Sequence, residues 1–359
     1  YLKRLTEELH RRGFDRDPLI MLSNGGVLGA STAGRYPVRM IESGPAAGAL
    51  VAAYFAEILG LDRVLSFDMG GTTAKACIIE DCKPLVTGAF EVDRMYRFKA
   101  GSGMPVIIPA IDMIEIGAGG GSLASVDALG LLKFGPRSAG SEPGPACYGR
   151  GGENPAVTDA DLVLGLLDAD NFLGGDMQLD KAASEAAIKP LADRLGTSVP
   201  QTARGIFQVV NESMAAAARA HATDRGIDYR GMPVLAFGGA GPVHACHVAE
   251  LLESTTVIYP PLASVLSAFG TLVTPVRFDL ARGTAGGIDW KAAEATYADM
   301  ASEAGIALEA AGCAPGDIEY IFGADMRYTG QQNEVTIDFD GDPTGKQDIA
   351  SMRESFETA

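Results

Sequence analysis

Two glycine-rich turns carry the residue types from which a phosphate site is made. The first lies in Val64-Leu65-Ser66-Phe67-Asp68-Met69-Gly70-Gly71-Thr72-Thr73-Ala74-Lys75-Ala76-Cys77-Ile78-Ile79, where an apolar run ends on a carboxylate and a second β-rich run leads away. Glycines that take φ > 0 bring backbone N–H groups close to an anion. Asp68 is suited to hold a hydrated Mg2+, and Thr72 or Thr73 adds a hydroxyl donor. A tight hairpin whose glycines serve turn geometry alone fits the same residues. The second turn, Gly238-Gly239-Ala240-Gly241-Pro242, separates an apolar run at 233–237 from a helical pattern at 243–252. Backbone donors and the helix dipole favour phosphate in that setting.

Three carboxylates widen the set of candidates. Asp112 and Glu115 interrupt the apolar run 106–116, and Asp159 belongs to Thr158-Asp159-Ala160-Asp161. Together they would form a site for a divalent ion or position a substrate amide; capping of local backbone is the alternative. Cys147 reads as a ligand, a reactive thiol or a buried inert cysteine. His244 follows the second turn, where ligand contact and helix packing are equally open.

These residues need elements to position them. Periodicity predicts a helix over 1–13 and a strand at 18–22 that leads into Ser23-Asn24-Gly25-Gly26. A small-residue helix follows Glu42-Ser43-Gly44-Pro45, with Ser43 as its cap. Four glycines among residues 117–121 predict a loop packed against backbone or ligand. The Gly/Pro/Ser stretch 135–152 predicts a long ordered loop, and Thr158 caps a helix through Leu167. Helical patterns follow at 181–195 and from about 206 to 226, and a strand is expected at 256–259. Beyond about 279 a helix at 290–311, a hairpin at 320–340 around Thr329-Gly330-Gln331-Gln332 and a charged helical pattern reaching Ala359 suggest another domain.

With 29 Lys+Arg against 46 Asp+Glu, the formal net charge is −17, which disfavours nucleic acid and anionic membrane surfaces as partners. A polyanion must then be held by local N–H groups and a metal. Five cysteines without a CxxC pair do not make a disulfide framework, so a reducing, cytoplasmic setting is expected. No 18-residue apolar run reads as a membrane span. The start at Tyr1 suggests a fragment.

Two glycine turns after buried strands, far apart in sequence, resemble the sugar kinase, Hsp70 and actin superfamily. More specifically, Glu42-Ser43-Gly44-Pro45, Phe67-Asp68-Met69-Gly70-Gly71-Thr72, the run 117–122, Gly144-Pro145-Ala146-Cys147-Tyr148-Gly149, Val157-Thr158-Asp159-Ala160 and Phe237-Gly238-Gly239-Ala240-Gly241-Pro242-Val243-His244 resemble the hydantoinase A and oxoprolinase family. That resemblance implies an α/β fold with an actin-like ATPase (ribonuclease H-like) lobe, over 41–278 with a Gly-rich insert at 100–160. Residues 1–40 would connect from a missing amino-terminal domain that carries a first phosphate motif, and 279–359 would open a truncated carboxy-terminal α+β domain.

The resemblance further implies ATP-dependent ring opening of a cyclic amide or imide by carbonyl phosphorylation, with ATP, Mg2+ and a possible second divalent metal. Asp68, Gly70, Gly71, Thr72 and Thr73 would meet phosphates and metal, and Gly238, Gly239 and Gly241 would line the adenosine. Asp68, Asp112 and Glu115 are the catalytic candidates, and Asp68, Asp112 and Asp159 the metal candidates. The family's Asp-x-x-His is here Asp112-x-x-Glu115, which argues against a His-containing metal site. A hydantoinase B-like subunit and an oligomer are the expected partners. A ketone carboxylase subunit and a nucleotide-binding module without turnover are the competing readings.

Overall fold

The computed structural model describes residues 1–92, 101–283, 290–331, 334–339, 341 and 349–358. Gln332, Asp340 and Ala359, which close the expected hairpin and final helix, lie outside the described residues. The chain divides into two compact units, one of residues 1–22, 26–40 and 275–359, the other of residues 23–25 and 41–274.

The second unit is built on a mixed sheet. Strand β1 (Arg63–Met69) turns back into β2 (Ala74–Glu80) with an antiparallel register running from Arg63↔Glu80 to Met69↔Ala74. Strand β3 (Ile114–Ile116) extends the sheet beyond β2, antiparallel, with Glu115 opposite Lys75. On the other side of β1, strand β4 (Val234–Phe237) runs parallel, with Phe237 opposite Asp68, and β5 (Val257–Ile258) is parallel to β4. Across the sheet the order is β3-β2-β1-β4-β5, with the short strand Lys83–Pro84 on β2. Both glycine turns leave the carboxyl ends of adjacent parallel strands, where ligands of open α/β sheets bind.

Alternation along the strands decides which layer each side chain meets. Leu65, Phe67, Met69, Ala74, Ala76, Val234 and Ala236 join Ile206, Val210, Met214, Ala245 and Val248 in one buried cluster. That face is covered by helices Val199–Asp224 and Gly241–Leu251. On the opposite face, which carries Asp68, Lys75, Glu115 and Phe237, helix Ser43–Leu59 packs on the central strands and helix Leu266–Val273 packs on that helix. Small residues permit that cover: a Cβ on Gly48 would lie 2.8 Å from the Phe237 ring.

Two expected caps differ. The cap position of helix Ser43–Leu59 is Glu42, with Ser43 already helical. Helix Val157–Val163 is capped at Ala156, whose amide donates to Asp159, while the Thr158 hydroxyl donates to the Gly120 carbonyl.

The other unit has its own small core of Leu22, Leu28, Ala33 and Leu308, flanked by Leu2, Ile20 and Phe278. It contains helices Leu2–Arg11 and Trp290–Ala310, the pair Leu19–Met21 with Val27–Gly29, and the antiparallel pair Gly323–Met326 with Val335–Asp338.

Candidate functional site

The hairpin between β1 and β2 is also a cradle of open donors. Gly70 N–H bonds to the Thr73 carbonyl at 3.0 Å and closes the turn. Among the described residues, nothing accepts from the amides of Gly71, Thr72 and Thr73. Successive open N–H groups of this kind form an anion-binding concavity. Positive φ, expected of its glycines, is not what the turn uses, since neither Gly70 nor Gly71 takes it. Among the described residues, a Cβ on Gly71 would meet nothing within 4 Å.

The glycine run 117–121 packs against this turn from the carbonyl side. Gly120 N–H donates to the Gly70 carbonyl at 3.0 Å and Gly121 N–H to the Gly71 carbonyl at 2.6 Å. A Cβ on Gly119 would lie 2.6 Å from the Thr72 nitrogen. The run is therefore a backing layer bonded to the carbonyl side of the turn.

The second turn approaches from β4. Gly238 takes φ +86, and a Cβ there would collide with Asp68 Oδ1 and the Met69 carbonyl. Ala240 N–H donates to the Met69 carbonyl at 2.8 Å, and a Cβ on Gly241 would lie 3.3 Å from the Met69 nitrogen. Gly239 is exposed with open space about it. The two turns thus form one unit around Asp68, which a lone glycine motif does not reveal.

Asp68 is half-buried and its Oδ2 accepts from Ser267 Oγ at 3.2 Å. Burial pushes its carboxyl above the usual aspartate range, offset in part by the Ser267 hydrogen bond and the Lys75 charge. Burial likewise raises Glu42, which begins helix Ser43–Leu59, against the pull of Lys75. Lys75 Nζ lies 2.9 Å from Glu115 Oε1 and 3.4 Å from Thr73 Oγ1.

The structure does not bring Asp112, Glu115 and Asp159 together. Asp112, buried, pairs with Arg225 at the end of helix Val199–Asp224. Glu115 pairs with Lys75, which stands opposite it in the sheet. Asp159 is fully buried and accepts from the amides of Ala146 (3.1 Å), Cys147 (2.8 Å) and Ala156 (2.8 Å) and from Ser184 Oγ (2.7 Å). That set organises the Gly/Pro-rich loop and leaves Asp159 little capacity for a metal. Cys147 sits in the same pocket, its thiol raised above the usual range by burial first and the Asp159 charge second. Among the described residues, no group of three or more His, Cys, Asp or Glu is arranged to hold a metal. Mg2+ is commonly held by one or two carboxylates together with phosphate oxygens, and Asp68 beside the open amides fits that requirement.

Three residues at the site were not singled out from sequence: Lys75, Ser267 and Glu42. For Lys75 the signal was present, because a hairpin closed on Gly70–Thr73 places it opposite Asp68. Nothing in sequence links Ser267 to Asp68, since they lie 199 residues apart.

The mixed sheet and its paired turns define an actin-like ATPase lobe of the ribonuclease H type. The chain belongs to the hydantoinase/oxoprolinase family, which it matches over residues 1–280. It is 33% identical to the caprolactamase subunit alpha of Pseudomonas jessenii over 99% of this chain and 51% of that protein. The crystal structure of the ATP-dependent caprolactamase from that organism superposes with TM-score 0.75 at 32% identity, over 100% of this chain and 52% of that one. A nucleotide-free structure of acetone carboxylase, titled for ATP-dependent acetone carboxylation, gives TM-score 0.76 at 26% identity over 99% of this chain and 51% of that one. The chain spans about half the length of these relatives. No helix among the described residues is long and apolar enough to cross a membrane.

Proposed function

We propose that the chain is the nucleotide-binding core of an ATP-dependent amidohydrolase that opens a cyclic amide or imide of the hydantoin or 5-oxoproline type. The observation that carries this reading is the set of open amides at Gly71, Thr72 and Thr73 beside Asp68, facing the Gly238 turn across adjacent strand ends. The amides and the Thr72 and Thr73 hydroxyls bind phosphate oxygens, Asp68 holds Mg2+, and Gly238, Gly239 and Gly241 let the adenosine approach. The amide carbonyl oxygen would take the terminal phosphoryl group of ATP, releasing ADP; water would add to the activated carbon and the ring C–N bond break, leaving an acyl phosphate that a second water hydrolyses to carboxylate and inorganic phosphate. The protein's share is positioning and charge stabilisation. A hydantoinase B-like subunit completes the reaction, in keeping with a relative named as a subunit alpha. Five free cysteines support a reducing, cytoplasmic compartment.

A ketone carboxylase core is the second reading, favoured by the acetone carboxylase superposition. ATP turnover by the intact protein with its partner subunit decides between them. Stimulation by hydantoins, 5-oxoproline or caprolactam supports the first. Stimulation by ketones with bicarbonate alone supports the second, and absence of Mg-ATP binding removes both.

A further inference from the structure

Asp68, Lys75 and Glu115 occupy one row across three adjacent strands. Asp68 is registered opposite Lys75 and Lys75 opposite Glu115, so all three side chains leave the same face of the sheet. The row lies at the strand ends that lead into the open amides of residues 71–73. Its one cation is largely buried, with 18% of the Lys75 side chain exposed, whereas Glu115 is 50% exposed. Lys75 Nζ reaches Glu115 Oε1 at 2.9 Å and stands 3.4 Å from the Thr73 hydroxyl. A buried ammonium beside an anion cradle, held by a carboxylate that solvent can readily receive, has the geometry of a group that changes partners when an anion enters.

We propose that Lys75 is the cation that recognises the terminal phosphoryl group of the nucleotide, and that Glu115 holds it until that group arrives. This rests on the reading of residues 70–73 as a phosphate turn. Lys75 turns from Glu115 toward the phosphate oxygens, and Glu115 swings into solvent. The exchange replaces one charge-assisted hydrogen bond with another, so its driving force is the higher charge of a triphosphate. A diphosphate, which lacks that group, leaves the Lys75–Glu115 pair intact.

The test is calorimetric titration of the intact protein with Mg-ATP and Mg-ADP. Wild type is expected to prefer Mg-ATP. Lys75→Gln should lose roughly 10- to 100-fold in Mg-ATP affinity, the range of a charged hydrogen bond, and keep Mg-ADP affinity within about twofold. Glu115→Gln frees Lys75 and should strengthen Mg-ATP alone. Should Lys75→Gln fold poorly, the double variant Lys75→Gln/Glu115→Gln removes both members of the ion pair, does not leave Glu115 without its partner, and must also lose the ATP preference. An unchanged ATP-to-ADP ratio in these variants, or equal loss of both nucleotides, overturns the role of Lys75 while the phosphate turn stands. Failure of wild type to bind either nucleotide removes the turn's assignment itself.

Discussion

Gly238 and Asp68 meet at the ends of adjacent parallel strands, so closely that a Cβ on Gly238 would overlap the Asp68 carboxylate and the Met69 carbonyl. The glycine also holds φ +86, in the left-handed region where a side chain adds strain. Geometry at this one contact joins the two turns.

Gly238→Ala should therefore destabilise the fold by about 2 kcal/mol or more and lower the melting temperature by several degrees. Its neighbour is the control. Gly239 has no positive φ, and among the described residues nothing lies within 4 Å of where its Cβ would stand, so Gly239→Ala should leave the melting temperature nearly unchanged. Equal losses in the two variants would refute the contact.

Asp68→Asn separates stability from function. Burial, the largest influence, raises the Asp68 carboxyl above its ordinary value of 3.8, so the folded chain holds that proton more tightly than the unfolded chain. The stabilising contribution is then full below the ordinary value and is lost as pH rises through the raised one. Asparagine escapes that loss. The variant should match wild type near pH 3.5 and melt higher by pH 7, with the gap opening between, while Mg-ATP binding falls below detection. Thermal melts across pH, with calorimetry at pH 7, read both.

How much was legible in sequence depends on the range of each contact. The strands around Asp68 and Gly238 follow from apolar runs stopped by glycine, and the hairpin register follows from its turn. Asp112, Glu115 and Asp159 look alike in sequence, yet each has a different partner because Arg225, Lys75 and Ser184 reach them from separate elements. Ser43 looked like a cap because it precedes Pro45, but the helix begins at Ser43 itself, with Glu42 at the cap position. The motif strings showed which residues matter more readily than what each one touches.

Asp159 illustrates the difference. Four donors converge on a carboxylate with 0% exposure, three of them backbone amides of the loop and cap that it holds. Asp159→Ala would strand those donors without water, a cost of about 3–5 kcal/mol. Urea unfolding should show that loss, and limited proteolysis should cut the 139–152 loop first. A chelator should not reproduce the effect, since the carboxylate is spent on hydrogen bonds.

His244 is the buried counterpart on the other face of the sheet. Its Nδ1 is 2.9 Å from Asn211 Oδ1, and as the only side able to donate it carries the proton there. Its Nε2 lies 3.3 Å from Asp161 Oδ2 without a hydrogen bond between them. Phe207 stacks on the ring at 5.0 Å. The three residues come from helices Gly241–Leu251, Val199–Asp224 and Val157–Val163, so the contact pins the helix that follows the Gly238 turn. Among the described residues, Asp161 Oδ1 and Asn211 Nδ2 have no hydrogen-bond partner, which makes the cluster costly to disturb in part. His244→Ala should lose about 3 kcal/mol or more, because it leaves a cavity in the buried cluster and takes the donor away from Asn211 Oδ1. The double variant His244→Leu/Asp161→Leu removes the ionisable pair and fills the space, so it should lose less than the single alanine variant. Urea unfolding of both variants checks the order. If the double variant is the less stable, the network contributes through its hydrogen bonds and not merely through avoided burial of charge.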